Sequence, residues 1–128
     1  MRSIAFAAVA LLALGFTRPA LPHHSTANFD FTRSETVVGT VQYFGFTNPH
    51  SFIDLQVAQP DGTQKAYKVF TVARVVMTRT GWALDDLKAG DKVSITGNPD
   101  RKTREYIYLT KITFASGNVW DRDPALQR

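Results

Sequence analysis

From Glu35 onward the chain alternates apolar and polar residues with a period of two, broken by short clusters of Gly, Pro, Asn and Asp. That period sets successive side chains on opposite faces of an extended backbone and predicts a series of half-buried strands. The first, "ETVVGTVQYFGF", puts Val37, Val41 and Tyr43 on one face. Phe44 and Phe46 belong to the other, so the inward parity changes near Gln42 to Phe44. Such a change predicts a bulge or sharp coil, which Gly39 and Gly45 permit. "TNPH" breaks the strand, because Pro49 fixes its own φ and pushes Asn48 toward an extended conformation. "SFIDLQVA" follows with Ile53, Leu55 and Val57 inward and Asp54 and Gln56 outward. "QPDGT" then turns the chain into a hairpin with "QKAYKVF".

In "TVARVVMTRTG" the period changes: Val72, Val75, Val76 and Arg79 lie at helical spacing, and Gly81 stands where a helix ends in a left-handed cap. "LKAGDKVSITG" reads as a turn and a strand with Val93 and Ile95 inward. "EYIYLTKITF" shows a second parity change, with Ile107 and Leu109 on one face and Ile112 and Phe114 on the other. "ASGN" turns, and "VW" has room for a brief pairing. The pattern therefore predicts a mostly β domain: a small OB-like barrel of five to six strands with one helix between strands 3 and 4. A plain β-sandwich is the rival, but it does not need the helix.

Ahead of this domain, Met1-Arg2-Ser3 leads into the apolar run "IAFAAVALLALGF" from Ile4 to Phe16. A short positive start, about a dozen apolar residues and then proline-bearing polar sequence is the layout of a secretory signal peptide. The run is short for a span of roughly 20 residues, which leaves an uncleaved anchor helix as the alternative. A cut after Gly15, with Ala13 behind it, fits the small-residue rule but leaves a longer tail; a cut after Ala20 puts Arg18 at the third-last place, and one after Pro22 sets a proline beside the scissile bond. The expected organisation is a signal-peptide helix and cleavage region over 1–22, an irregular segment over 23–34, the barrel over 35–121 and a tail over 122–128. The expected destination is the periplasm or the medium, with membrane contact only through the signal peptide.

The full chain has 128 residues and a formal charge of +4. Removing 1–22 takes away Arg2 and Arg18, which leaves 13 basic residues against 11 acidic, or +2. On that sum the mature domain lacks the strongly basic face of a nucleic-acid binder, and no nucleic-acid partner is expected. With no cysteine, thiol catalysis and thiolate ligation are excluded, and the core alone must hold the fold.

Several motifs match a known group: "HHS", "GTVQYFGFTNPHSFIDLQV" and "RTGWALDDLKAGDKVSITGNPDR". Together they resemble a family of small exported bacterial proteins classed as a domain of unknown function, over roughly His23 to Phe114. The resemblance implies export and a small β-barrel, and it implies no reaction.

Candidate chemistry falls into two sets. His23, His24 and His50 are the only histidines, and neutral imidazole suits copper or zinc in an exported protein without cysteine. Adjacent rings on an extended chain point apart, so His23 and His24 need a turn to share an ion. His50 joins them only if the segment before the barrel folds back along it. Otherwise the pair is a solvated tail and His50 holds the NPH turn. The second set is "RKTREYIY", where Arg104 stands beside Tyr106 and Tyr108 on one strand face, a surface for a partner protein or glycan. Its bland counterpart is a charged hairpin tip beside tyrosines that cover the core. Trp82 serves either as a pocket wall or as a core plug.

Catalysis is not expected. Asp85 and Asp86 are adjacent, and Ser51 and His50 face apart on a strand. The expectation is a monomeric, non-catalytic binding or accessory module. Its ligand would be a metal ion at the histidines or, alternatively, an envelope protein or glycan on the aromatic and basic face.

Overall fold

The computed structural model describes residues 26–122, so the signal-peptide helix expected over 1–22 lies outside the described residues. Strands run as β1 (Glu35–Gly45), β2 (Phe52–Ala58), β3 (Gln64–Phe70), β4 (Lys92–Pro99), β5 (Tyr106–Thr113) and β6 (Val119–Asp121). One helix, α1 (Arg74–Arg79), lies between β3 and β4, and short 3-10 turns span Thr26–Asn28 and Leu84–Asp86. The sheet order is β3-β2-β1-β4-β5-β6, and β3 also pairs with β5 in parallel, which closes five strands into a barrel. β5 meets β3 through Tyr106–Tyr108 and β6 through Lys111–Thr113, so the sixth strand extends the closed barrel at one end.

Both predicted parity changes are present as register shifts. In β1 the shift falls between Val41 and Tyr43, leaving Gln42 as the extra residue. In the β4–β5 pair Thr96 opposes Lys111 and Gly97 opposes Leu109, so Thr110 is the extra residue. Val41, Leu109 and Ile112 are therefore all buried although they do not share one alternation. The bulges bend the strands enough to close the barrel. Closure also brings two backbones together at Gly97, where a Cβ would collide with the Tyr108 carbonyl and the Ile107 side chain.

The interior is filled by Ile53, Leu55, Val57, Val69, Val93, Ile95 and Ile107, and Met77 of α1 is fully buried with them. The helix differs from the predicted stripe. It begins only at Arg74, because Ser51 N–H donates to the Val72 carbonyl (3.0 Å) and holds that residue extended. Arg74 N–H then donates to the Thr47 carbonyl, and Val75 N–H to Asn48 Oδ1, which ties the helix start to the β1–β2 loop. Val75 is left exposed and Met77 takes the inward position. At the other end Gly81 has φ +100°, Gly81 N–H reaches the Thr78 carbonyl and Trp82 N–H the Met77 carbonyl. This is a Schellman cap, with its usual apolar pair in Met77 and Trp82.

A candidate ligand-binding face

Alternation along β2 and β3 sends one set of side chains into the barrel and the other onto its outer surface. Register aligns the outer set into two rows. Tyr43 opposes Asp54, Asp54 opposes Lys68, and Lys68 opposes Tyr106. One step along, Gly45 opposes Phe52, Phe52 opposes Phe70, and Phe70 opposes Tyr108. Rings thus cross four strands. Tyr43 and Phe52 lie 5.6 Å apart, Phe70 and Tyr106 5.3 Å apart, and the Lys68 ammonium sits 4.4 Å above the Phe52 ring. The Phe52 ring lies over Gly45, where a Cβ would displace it.

Behind the first row a hollow of about 490 Å³ opens between Gln42, Asp54, Gln56, Lys68 and Tyr106, with short Ala66 opposite Gln56. Its polar groups are unequal. Asp54 is held by Lys68 at 3.0 Å and Gln42 Nε2 donates to the Thr40 carbonyl at 3.3 Å, whereas Gln56 Oε1 is buried without a partner. The loop from Asp100 to Glu105 borders the face on the β5 side. Asp100 is buried and its Oδ1 accepts the N–H groups of Lys102 and Thr103, both at 2.8 Å, which turns Arg101, Lys102 and Arg104 outward. Glu105 pairs with Lys65 and pins the loop to β3. That hydrogen-bonded pair holds the Glu105 carboxyl below the usual carboxylate range and pushes the Lys65 ammonium up.

At the far edge the segment before β1 doubles back over the barrel. Phe29 is 2% exposed, with its ring 5.8 Å from Phe70 and 5.3 Å from Tyr108. Phe31 meets Tyr108 edge-on at 5.9 Å, and the Arg122 guanidinium lies 4.2 Å from the same ring.

The residues singled out from sequence are spread across this geometry. Arg104 is exposed and Tyr106 half-buried on the open face, while Tyr108 is covered by Phe29. Trp82 is a core residue, 2% exposed and ringed by Phe44, Phe114 and Trp120 at 5.0–5.6 Å. It also forms part of the wall of a cavity of about 510 Å³ beside Asp85, Asp86 and the β5–β6 turn. His50 is exposed in the β1–β2 loop, where its carbonyl accepts the Thr47 hydroxyl at 2.9 Å. His23 and His24 lie outside the described residues, and among the described residues no three His, Asp or Glu side chains gather as a metal set. Sequence reasoning missed Tyr43, Phe52, Lys68 and Phe70 as one surface. The signal was present: two aromatics occupy outward positions of β2 and β3, where a solvated face normally carries polar residues.

The chain matches a family of unknown function (DUF6152) over residues 10–107, well over half its length. It belongs to that family. No curated protein matches it. Among solved structures it is similar to the ZRD-deleted mutant of TiaS in complex with agmatine, with a TM-score of 0.56 and 18% identity over 75% of this chain. This chain spans 28% of that one. It is also similar to the N-terminal domain of PriB from Thermoanaerobacter tencongensis (TM-score 0.48, 18% identity, 65% of this chain and 96% of that). A third is a small single-stranded DNA-binding protein from Streptomyces coelicolor (TM-score 0.41, 18% identity, 73% and 93%). At such identities the likeness is one of fold, and the fold is the OB barrel.

The expectation of a monomer without nucleic-acid partners is corrected to this extent: among proteins of this fold one is named a single-stranded DNA-binding protein and the PriB domain is described as dimeric, so the fold excludes neither. The charge argument failed for a physical reason. A net sum hides where charges sit: Asp54 and Glu105 are neutralised by Lys68 and Lys65, and Asp100 is turned inward. Arg101, Lys102 and Arg104 make no salt bridge among the described residues.

Proposed function

We propose that the chain is an exported, non-catalytic binding module that holds a section of an extended, ring-bearing ligand on the outer face of β1, β2, β3 and β5. The observation that carries this reading is Tyr43, 55% exposed and continuous with the rings of Phe52, Phe70 and Tyr106 through the Asp54 and Lys68 row. Aromatic rings left partly in water cost solubility, and such a row is the usual platform for stacking bases or sugars on this fold. The charged pair of the face, Asp54 and Lys68, is engaged with itself, which suits holding a ligand better than transferring protons. Export is supported by the apolar run from Ile4 to Phe16 behind Arg2.

Calorimetric titration of the full chain with a single-stranded 15-mer and with a neutral hexasaccharide tests the reading. One of them is expected to bind, and Tyr43→Ala to weaken it by about 5- to 150-fold, the worth of one stacked ring. Equal affinity in Tyr43→Ala would refute the face.

A second reading, copper or zinc at His23, His24 and His50, draws support from the folded-back segment. Phe29 packs on Phe70, the strand partner of Phe52, two residues after His50. Metal titration of the full chain against His50→Ala separates it from the first: the metal reading needs His50, and the face does not.

A further inference from the structure

Building on the face reading, we propose that its ligand is a single-stranded polynucleotide, with one base seated in the hollow at Ala66 and phosphates on the Asp100–Glu105 loop. Three observations converge on that ligand class. First, the hollow of about 490 Å³ is larger than a nucleobase needs and is walled by the Tyr106 ring on one side. It is open because Ala66 is the only short outward side chain between Gln56, Lys68 and Tyr106.

Second, its polar lining is amide-rich. Gln42 and Gln56 each carry a donor and an acceptor side by side, which is the pattern that reads the paired donor and acceptor edges of a base. Gln56 Oε1 has no partner within the protein, and swinging the amide toward the hollow offers that acceptor to a base N–H.

Third, the charge is in the right place. Lys68 and Lys65 are occupied by carboxylates, but Arg101, Lys102 and Arg104 project from the bordering loop without salt bridges among the described residues. The loop emerges directly before Tyr106, so these exposed cations stand beside the ring that closes the hollow. Stacking rings beside a cationic track is the general arrangement for single strands, because every base has a flat face and every link a phosphate.

Fluorescence anisotropy on the full chain with labelled dT and dA 15-mers tests this, beside calorimetry with maltohexaose. Three phosphate contacts give a log–log salt slope of about −2, so affinity should fall about 20-fold between 50 and 200 mM salt. Replacing Arg101, Lys102 and Arg104 together with Gln should reduce that fall to about 2-fold or less. Ala66→Trp fills the hollow from the surface and should weaken binding at least 10-fold and erase any preference between dT and dA, with an unchanged melting temperature as the folding control.

Binding of maltohexaose in preference to either oligonucleotide, or oligonucleotide binding indifferent to salt, overturns the ligand class. The face reading then survives if Tyr43→Ala still weakens whatever binds. Salt-dependent oligonucleotide binding that Ala66→Trp leaves intact overturns the hollow alone. Absence of binding to every probe, or binding that ignores both Tyr43→Ala and Ala66→Trp, removes the face and the ligand together.

Discussion

Phe29→Ala is the sharpest test of how the segment before β1 belongs to the barrel. Phe29 is 2% exposed, and its ring is wedged between those of Phe70 and Tyr108. The segment is tied down by Asp30 N–H to the Pro99 carbonyl (2.9 Å), Arg101 N–H to the Asn28 carbonyl (2.9 Å) and Asn98 Nδ2 to the Arg33 carbonyl (2.7 Å). Truncating a buried Phe in a rigid site costs about 3–5 kcal/mol, from lost transfer energy and the cavity left behind. A segment can also peel away, which caps the loss at its own docking energy. The lower end of that range, about 3 kcal/mol, is the expected loss when such peeling is allowed. For a domain of about 100 residues this is a fall in melting temperature of about 12–24 °C. Thermal and urea denaturation followed by far-UV circular dichroism measure it. A lower urea m-value in Phe29→Ala would mark peeling, because a segment already free exposes no new surface on unfolding. A melting temperature within about 3 °C of the wild type would refute the docking argument.

Closure of the barrel at Gly97 predicts that Gly97→Ala loses about 1–3 kcal/mol, because the added carbon must push β4 off the Tyr108 carbonyl; an unchanged urea midpoint would contradict it. Trp82 Nε1 is buried without a partner, so Trp82→Phe should cost less than about 2 kcal/mol by equilibrium denaturation, against about 3–5 kcal/mol for Trp82→Ala; equal losses would mean the indole nitrogen is satisfied after all. The Lys65–Glu105 pair sets a pH window. The depressed Glu105 carboxyl contributes above the unfolded carboxylate value and loses that contribution as pH falls through its folded one. The raised Lys65 ammonium contributes below the unfolded lysine value and loses it as pH rises through its folded one. The stability difference between wild type and Lys65→Met should therefore be present between the ordinary carboxylate and lysine ranges and be lost as acid protonates Glu105, and a difference that persists once the carboxylates are protonated would exclude the pair as its source.

Much of the barrel was legible because its constraints are local. Ile53, Leu55 and Val57 announce their face by alternation, and a strand that changes parity at Gln42 or Thr110 announces its bulge. Gly81 announces a left-handed cap, and the structure adds the two hydrogen bonds that make it a Schellman motif. Tyr43 shows where local reading fails. Grouped with Val37 and Val41 by alternation, it is carried outward by the extra residue at Gln42. Parity shows that a bulge exists but not which side of it each neighbour joins. Tyr108 fails for a different reason: it shares the outer face with Tyr106, yet Phe29, some eighty residues earlier, covers it. His50 depends on what lies across the loop, and nothing local encodes that.

The division of labour between α1 and the outer face explains why rings are left at the surface of β1, β2 and β3. A barrel this small has one interior to fill, and α1 contributes Met77 to that interior instead of covering the β2–β3 surface. Without cysteines the chain has no covalent means of offsetting apolar surface left in water. Tyr43 and Phe31 nonetheless remain more than half exposed at 55% and 53%, and a polar residue at either position would be better solvated without loss to the core. Phe52 shows the same tension from below, because its ring lies over Gly45, where a Cβ would displace it. A barrel needing nothing but closure has no need of an outward ring laid over a glycine there. The arrangement fits a surface kept for stacking, with the strain of building it confined to the strands that carry it.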